Sequence, residues 1–203
     1  MRALIESRLA QFQPAADPLA RTLANVKGEA PPELPERLQR AAPAAVLLGL
    51  IESADGFRVL LTRRCAHLSV HAGQISFPGG RLEAQDTGPI DAALREAEEE
   101  VGLPPSLVQV VGCLDDLLTP TSFLITPVVG FVDARFEPKA EASEVDEVFE
   151  VPLDYLLDEA NIGVSYRERM GATFRMYEYH YEERHIWGAT AAIIMNFRDV
   201  LIK

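Results

Sequence analysis

Four carboxylates fall within five consecutive positions, Glu96, Glu98, Glu99 and Glu100, in the run Arg95-Glu96-Ala97-Glu98-Glu99-Glu100-Val101-Gly102-Leu103. If the run is helical, each residue turns the chain by about 100°, so Glu99 and Glu100 fall within roughly 60° of Glu96 on one side. Ile90, Leu94, Ala97 and Val101 then form the apolar stripe that faces a core, and Glu98 lies outside the acidic group. Like charges one turn apart weaken a helix, so the cluster calls for a counter-charge. Mg²⁺ is a hard cation that takes carboxylate oxygens together with substrate phosphates, so it suits such a set. A solvated acidic surface is the competing reading. The flanks favour a site: Phe77-Pro78-Gly79-Gly80 is a turn whose glycines let a backbone approach a ligand closely, and Gly102 with Pro104 bounds the helix.

A second constellation has the opposite sign. Residues 58–81 hold four arginines (Arg58, Arg63, Arg64, Arg81), two histidines (His67, His71) and no acid. This is either a basic surface balancing the neighbouring carboxylates or an anion-binding lip, since arginine forks onto phosphate oxygens. His71 is a candidate phosphate donor. Further on, the acid-rich stretch 141–149 reads as a solvated loop ahead of a strand. Asp115 and Asp116 read as turn residues.

Gly80, Arg95, Glu96, Ala97, Glu99, Glu100, Gly102 and Leu103 match the Nudix box, and the chain resembles the Nudix hydrolases. Two departures occur: the spaced acid is Asp86 in place of Glu, and the gap to Arg95 is one residue longer than usual. The coenzyme A pyrophosphatase branch of that family tolerates both. Its second motif is similar to Leu60-Leu61-Thr62, Arg64, Gly73 and Phe77-Pro78-Gly79-Gly80, with Cys65 where Ser or Ala is usual and Ser69 where Arg is usual. The resemblance is specific over residues 60–103 and weaker to about residue 190.

The resemblance implies an α+β fold, a Nudix-type α/β/α sandwich with a mixed β-sheet. It implies Mg²⁺ or Mn²⁺ held by Glu96, Glu99 and Glu100 with the Gly80 carbonyl, and Arg95 orienting a box carboxylate. The catalytic base is left among Glu144, Glu147 and water held by the metal. Arg63, Arg64, His71, Gly73, Phe77 and Arg81 are expected at the substrate. The implied reaction is hydrolysis of coenzyme A or acyl-CoA to 3',5'-ADP and (acyl-)4'-phosphopantetheine. ADP-ribose, NADH and dinucleoside polyphosphates are the alternative substrates. A non-catalytic nucleotide-binding protein is a third reading, which loss of box carboxylates would favour; none is lost.

These residues need a scaffold, and the rest of the chain is read for one. Leu4, Ile5, Leu9 and Phe12 recur at helical spacing and predict a short helix ending near Pro14. Prolines 14, 18, 31, 32 and 35 mark a connecting arm with a short helix around 35–42. Residues 1–42 are therefore expected as a helical, proline-rich extension and 43–203 as the hydrolase domain. Ala44–Ile51 and Phe57–Thr62 flank a turn and predict a hairpin. Strands are expected over 107–114, 128–132, 149–152 and 174–181, a short helix over 152–159, and a last helix from Ile186 to about Ile202.

Composition bounds the partners. Hydrophobic residues make up 48% and charged residues 25%, which is ordinary for a globular domain. A net charge of −12 argues against general nucleic-acid binding, so a small nucleotide-like substrate is expected. Two cysteines without a CxxC spacing, no signal-peptide-like start and no apolar run of spanning length predict a cytoplasmic chain without membrane association. A homodimer through the N-terminal arm is an open expectation.

Overall fold

A computed structural model describes residues 1–67 and 72–202. In chain order the elements are α1 (Arg2–Gln11), α2 (Ala20–Leu23), β1 (Val26–Lys27), α3 (Leu34–Arg40), β2 (Ala42–Ser53), β3 (Gly56–Arg64), β4 (Ile75–Ser76), β5 (Gly79–Arg81) and α4 (Pro89–Val101). Then follow β6 (Val108–Cys113), β7 (Leu117–Leu118), β8 (Phe123–Val132), β9 (Val145–Pro152), α5 (Leu153–Leu157), β10 (Gly163–Arg169), β11 (Ala172–Tyr181), β12 (Arg184–Trp187) and α6 (Gly188–Ile202).

The central strand is β2, whose apolar run lacks polar alternation because both of its faces are covered. Ala45, Leu47 and Ile51 pack toward α4 with Leu60, Val128 and Val132, while Leu48 and Leu50 pack into the opposite core with Val59, Leu61 and Val129. That second core is closed by Ile193, Ile194 and Phe197 of α6 and by Ile5 and Leu9 of α1. Among the described residues the larger sheet runs β4-β3-β2-β8-β6, with β5 also on β2, β7 on β8 and β9 on β3. The β2–β8 pair is parallel, and the other pairs in this sheet are antiparallel. Helices on both faces of a mixed sheet make the expected α/β/α sandwich.

A smaller sheet, in the order β1-β11-β10 with β12 beside β11, packs against α6. Strands β10 and β12 were not expected from the sequence. The last helix also starts later than expected. Ile186 and Trp187 close β12, with Ile186 opposite Tyr179, and the helix begins at Gly188, whose φ of 66° turns the chain between the two.

Candidate active site

Helix α4 is short because both ends are defined locally. Pro89 opens it, and Gly102 closes it in the left-handed conformation. The Gly102 and Leu103 amides donate to the Glu98 and Ala97 carbonyls, the double hydrogen bond that turns a chain off a helix. Ala92, Ala93, Ala97 and Val101 are buried against the sheet. Ile90, expected on that inner stripe, is 40% exposed, because small alanines let the helix lie close to β2 and rotate the stripe toward them.

That rotation changes the acidic face. Glu99 is exposed and Glu96 half-buried, but Glu100 is only 5% exposed and points inward. The expectation of three outward carboxylates is thus corrected: one is at the surface, one at the boundary and one inside. Glu100 sits beneath the glycine turn, where the Gly79 amide donates to its Oε2 at 3.3 Å. The Arg64 guanidinium lies 3.6 Å from its other oxygen. Glu96 lies against Gly80, and a Cβ there would be 2.4 Å from the Glu96 Oε1. Glycine at 80 is what leaves room for the carboxylate.

Arg95 is the hub of the outer part. Its Nε and Nη2 grip both oxygens of Asp86 at 3.0 Å, and its Nη1 reaches Glu96 at 3.0 Å and Glu99 at 2.9 Å. Nη2 also donates to the Arg81 carbonyl. This one guanidinium ties the helix to β5 and to the loop before α4. Arg95 lowers the Asp86 carboxyl below the ordinary carboxylate range. Burial pushes the Glu96 carboxyl up against the opposing pull of Arg95. Burial pushes Glu100 up to about 8, with Glu96 and Glu144 adding repulsion and Arg64 and the Gly79 amide opposing it.

Glu144 reaches this cluster from β9's leading loop. The Lys139 and Glu141 amides donate to the Val101 and Glu100 carbonyls, using helix-end acceptors that have no partner within the helix. The Cys65 amide donates to the Glu144 carbonyl, so the end of β3 is tied to the same loop. The Glu144 side chain is exposed, yet close enough to bear electrostatically on Glu96 and Glu100.

The other expected site residues divide. Arg63 pairs with Glu147 at 3.1 Å and Arg58 with Glu150 at 2.9 Å, so these two brace β3 to β9 rather than form an open anion lip. Glu147 is also held by Arg184 at 2.6 Å, which removes it as a free carboxylate. Phe77 is 2% exposed and belongs to the core, where it seats the glycine turn; it has no face to offer a ligand. Gly73 takes a φ of 68° in the turn that returns its amide to the Arg64 carbonyl. Arg81 is exposed, with its guanidinium 5.0 Å over the Phe123 ring. His71 and Ser69 lie outside the described residues. Arg184 was missed by sequence reading, since its partner Glu147 is 37 positions away and no local pattern links them.

The sequence model of the NUDIX domain matches residues 41–168, well over half of the chain. The chain belongs to the Nudix family. Curated Nudix relatives agree: two proteins described as uncharacterized Nudix hydrolase NudL, from Escherichia coli O6:H1 and from strain K12, are each 42% identical over 151 residues. That match spans 74% of this chain and 78% of each relative. A MutT/Nudix family protein from Enterococcus faecalis has the same fold, with a TM-score of 0.51 and 16% identity over 100% of this chain and 75% of its own. The protein is therefore a Nudix hydrolase, with the box helix as its candidate catalytic element.

The donor set fits a hard divalent cation. Glu96 and the buried Glu100 lie together with the exposed Glu144 bearing on both. Arg95 partners Glu96 at 3.0 Å, whereas the guanidinium paired with Glu100, that of Arg64, stands at 3.6 Å, beyond hydrogen-bonding distance. A buried carboxylate without a matching charge is costly. An oxygen-preferring ion supplies that charge with the ligand type present.

Proposed function

We propose that this chain is a Mg²⁺- or Mn²⁺-dependent diphosphatase that hydrolyses coenzyme A and acyl-CoA to 3',5'-ADP and (acyl-)4'-phosphopantetheine. One observation carries the substrate assignment. The segment that resembles the coenzyme A branch runs from Leu60 to Gly80, and two of its residues, Arg64 and Gly79, contact Glu100. Two contacts from this segment to the innermost box carboxylate support a role for it in aligning a diphosphate.

Glu96, Glu99 and Glu100 would hold the ion, with the Gly80 carbonyl. The bound ion supplies charge neutralisation for a diphosphate whose oxygens otherwise repel a nucleophile. Phosphoryl displacement asks little covalent chemistry of the protein, so positioning and electrostatics carry the acceleration. Arg95 keeps Glu96 and Glu99 on one side of the helix while Asp86 neutralises its charge. Glu144 is exposed beside the cluster, where it can accept the proton of an attacking water as the new P–O bond forms and the anhydride P–O bond breaks. Arg64 stays available to a phosphate oxygen once Glu100 is occupied. Cys65 and Cys113 are free thiols, in keeping with a reducing cytoplasmic setting. No helix among the described residues is long and apolar enough to cross a membrane.

The test compares kcat/KM for coenzyme A, acetyl-CoA, ADP-ribose, NADH and diadenosine tetraphosphate with Mg²⁺ and with Mn²⁺. Coenzyme A compounds should lead, and a preference of about tenfold or more for ADP-ribose overturns the assignment. Product mass spectrometry in ¹⁸O-labelled water identifies the phosphorus attacked.

A further inference from the structure

The smaller sheet carries a second set of ligand-type side chains, unrelated to the box helix. Glu178 and His180 stand two apart on β11 and so share one face. His185 of β12 is the direct cross-strand partner of His180. Tyr179 and Ile186, which alternate with them, are fully buried, so the Glu178, His180 and His185 side chains project from the opposite side. One ligand atom from each of these three residues lies within 4.8 Å of the other two. His185 Nε2 is 2.9 Å from Glu178 Oε2, and the two imidazoles are stacked with centroids 4.5 Å apart and planes 4° from parallel.

Two imidazole nitrogens and one carboxylate oxygen form a donor set for borderline divalent ions such as Zn²⁺, Co²⁺ or Ni²⁺, not for Mg²⁺. Around a tetrahedral ion with bonds near 2.1 Å, ligand atoms sit about 3.4 Å apart. The Glu178–His185 edge of 2.9 Å is a little shorter than that and the other two edges do not exceed 4.8 Å, a mismatch that side-chain rotation can take up, since His185 is 46% exposed. The hairpin register already fixes the three backbone positions, so binding has only side chains left to order. We propose that Glu178, His180 and His185 form a three-ligand site for a borderline divalent cation, separate from the box carboxylates. This site clamps β11 to β12, the hairpin that also presents Arg184 to Glu147.

The sole tryptophan reports on the site, because the Trp187 ring lies 6.3 Å from that of His185. The experiment titrates Co²⁺ or Ni²⁺ into the full chain, without a histidine tag and in excess Mg²⁺, while tryptophan fluorescence is followed. Saturable quenching that Zn²⁺ reverses is expected. His180→Gln and His185→Gln should each weaken binding by about tenfold or more, while Glu100→Gln leaves it unchanged. Circular dichroism checks that each variant is folded. Absence of quenching, quenching untouched by both histidine variants, or its loss in Glu100→Gln overturns the proposal. Because the readout is fluorescence, failure of the diphosphatase assignment would leave this result standing.

Discussion

Glu100→Gln probes the electrostatics of the box directly. In the metal-free chain burial raises the Glu100 carboxyl from 4.5 to about 8. The folded chain therefore keeps a proton that the unfolded chain has already released. Its contribution to stability is complete below about pH 4.5 and is lost as pH climbs toward 8. At 1.36 kcal/mol per pH unit, the roughly 2.5 units from 4.5 to neutrality remove about 3 kcal/mol. Glutamine resembles the protonated acid and has no proton to lose, so the variant escapes this penalty. For a chain of this size each kcal/mol moves the melting temperature by about 2–4 °C, giving a separation of roughly 6–12 °C at pH 7. In EDTA the two proteins should melt together near pH 4.5, with Glu100→Gln the more stable at pH 7. Mg²⁺ or Mn²⁺ should then raise the melting temperature of the wild type and leave the variant nearly unmoved, with turnover lost. Parallel pH profiles, or a variant that loses ground as pH rises, would refute the burial argument.

Other substitutions separate scaffold from chemistry. Gly80→Ala places a Cβ against the Glu96 carboxylate, the far end of a side chain that can turn aside, so activity should fall by about tenfold or more while the melting temperature holds. Gly79→Ala drives its Cβ to 2.4 Å from the Ala45 carbonyl oxygen, a backbone atom, and should cost several kcal/mol (about 3 or more) in a urea melt. Arg95→Lys cannot span Asp86, Glu96, Glu99 and the Arg81 carbonyl together; kcat should fall by about tenfold or more in steady-state assays. Glu144→Gln should lower kcat by about 10²-fold or more as a lost base, whereas Glu147→Gln should lower the melting temperature by freeing Arg63 and Arg184 and leave kcat within a few-fold (about threefold). Deleting residues 1–13 strips Ile5 and Leu9 from the core, at about 1.5–3 kcal/mol each, and urea denaturation should show the loss.

Much of this protein was legible in one dimension because its signals are local. The box helix, its glycine stop, the β2–β3 hairpin and the Phe77–Gly80 turn depend on residues within a few positions of one another, where propensity and spacing act directly. Arg95 also fell within that range, since Asp86, Glu96 and Glu99 are at most nine positions away. What a helical wheel could not settle was rotation. The wheel places Ile90 and Glu100 by angle alone, but the packing of Ala93 and Ala97 on β2 decides which carboxylate goes under the glycine turn. Long-range pairing was hidden for the same reason. Arg63 and Arg184 meet on Glu147 only because β3 joins β9 in the sheet and the β11–β12 hairpin folds back toward them. The sequence by itself determined which side chains are able to bind an ion, through their chemistry and their place on one short helix. Only the tertiary structure decided which of them leave water, because burial depends on what packs against a side chain from elsewhere in the chain.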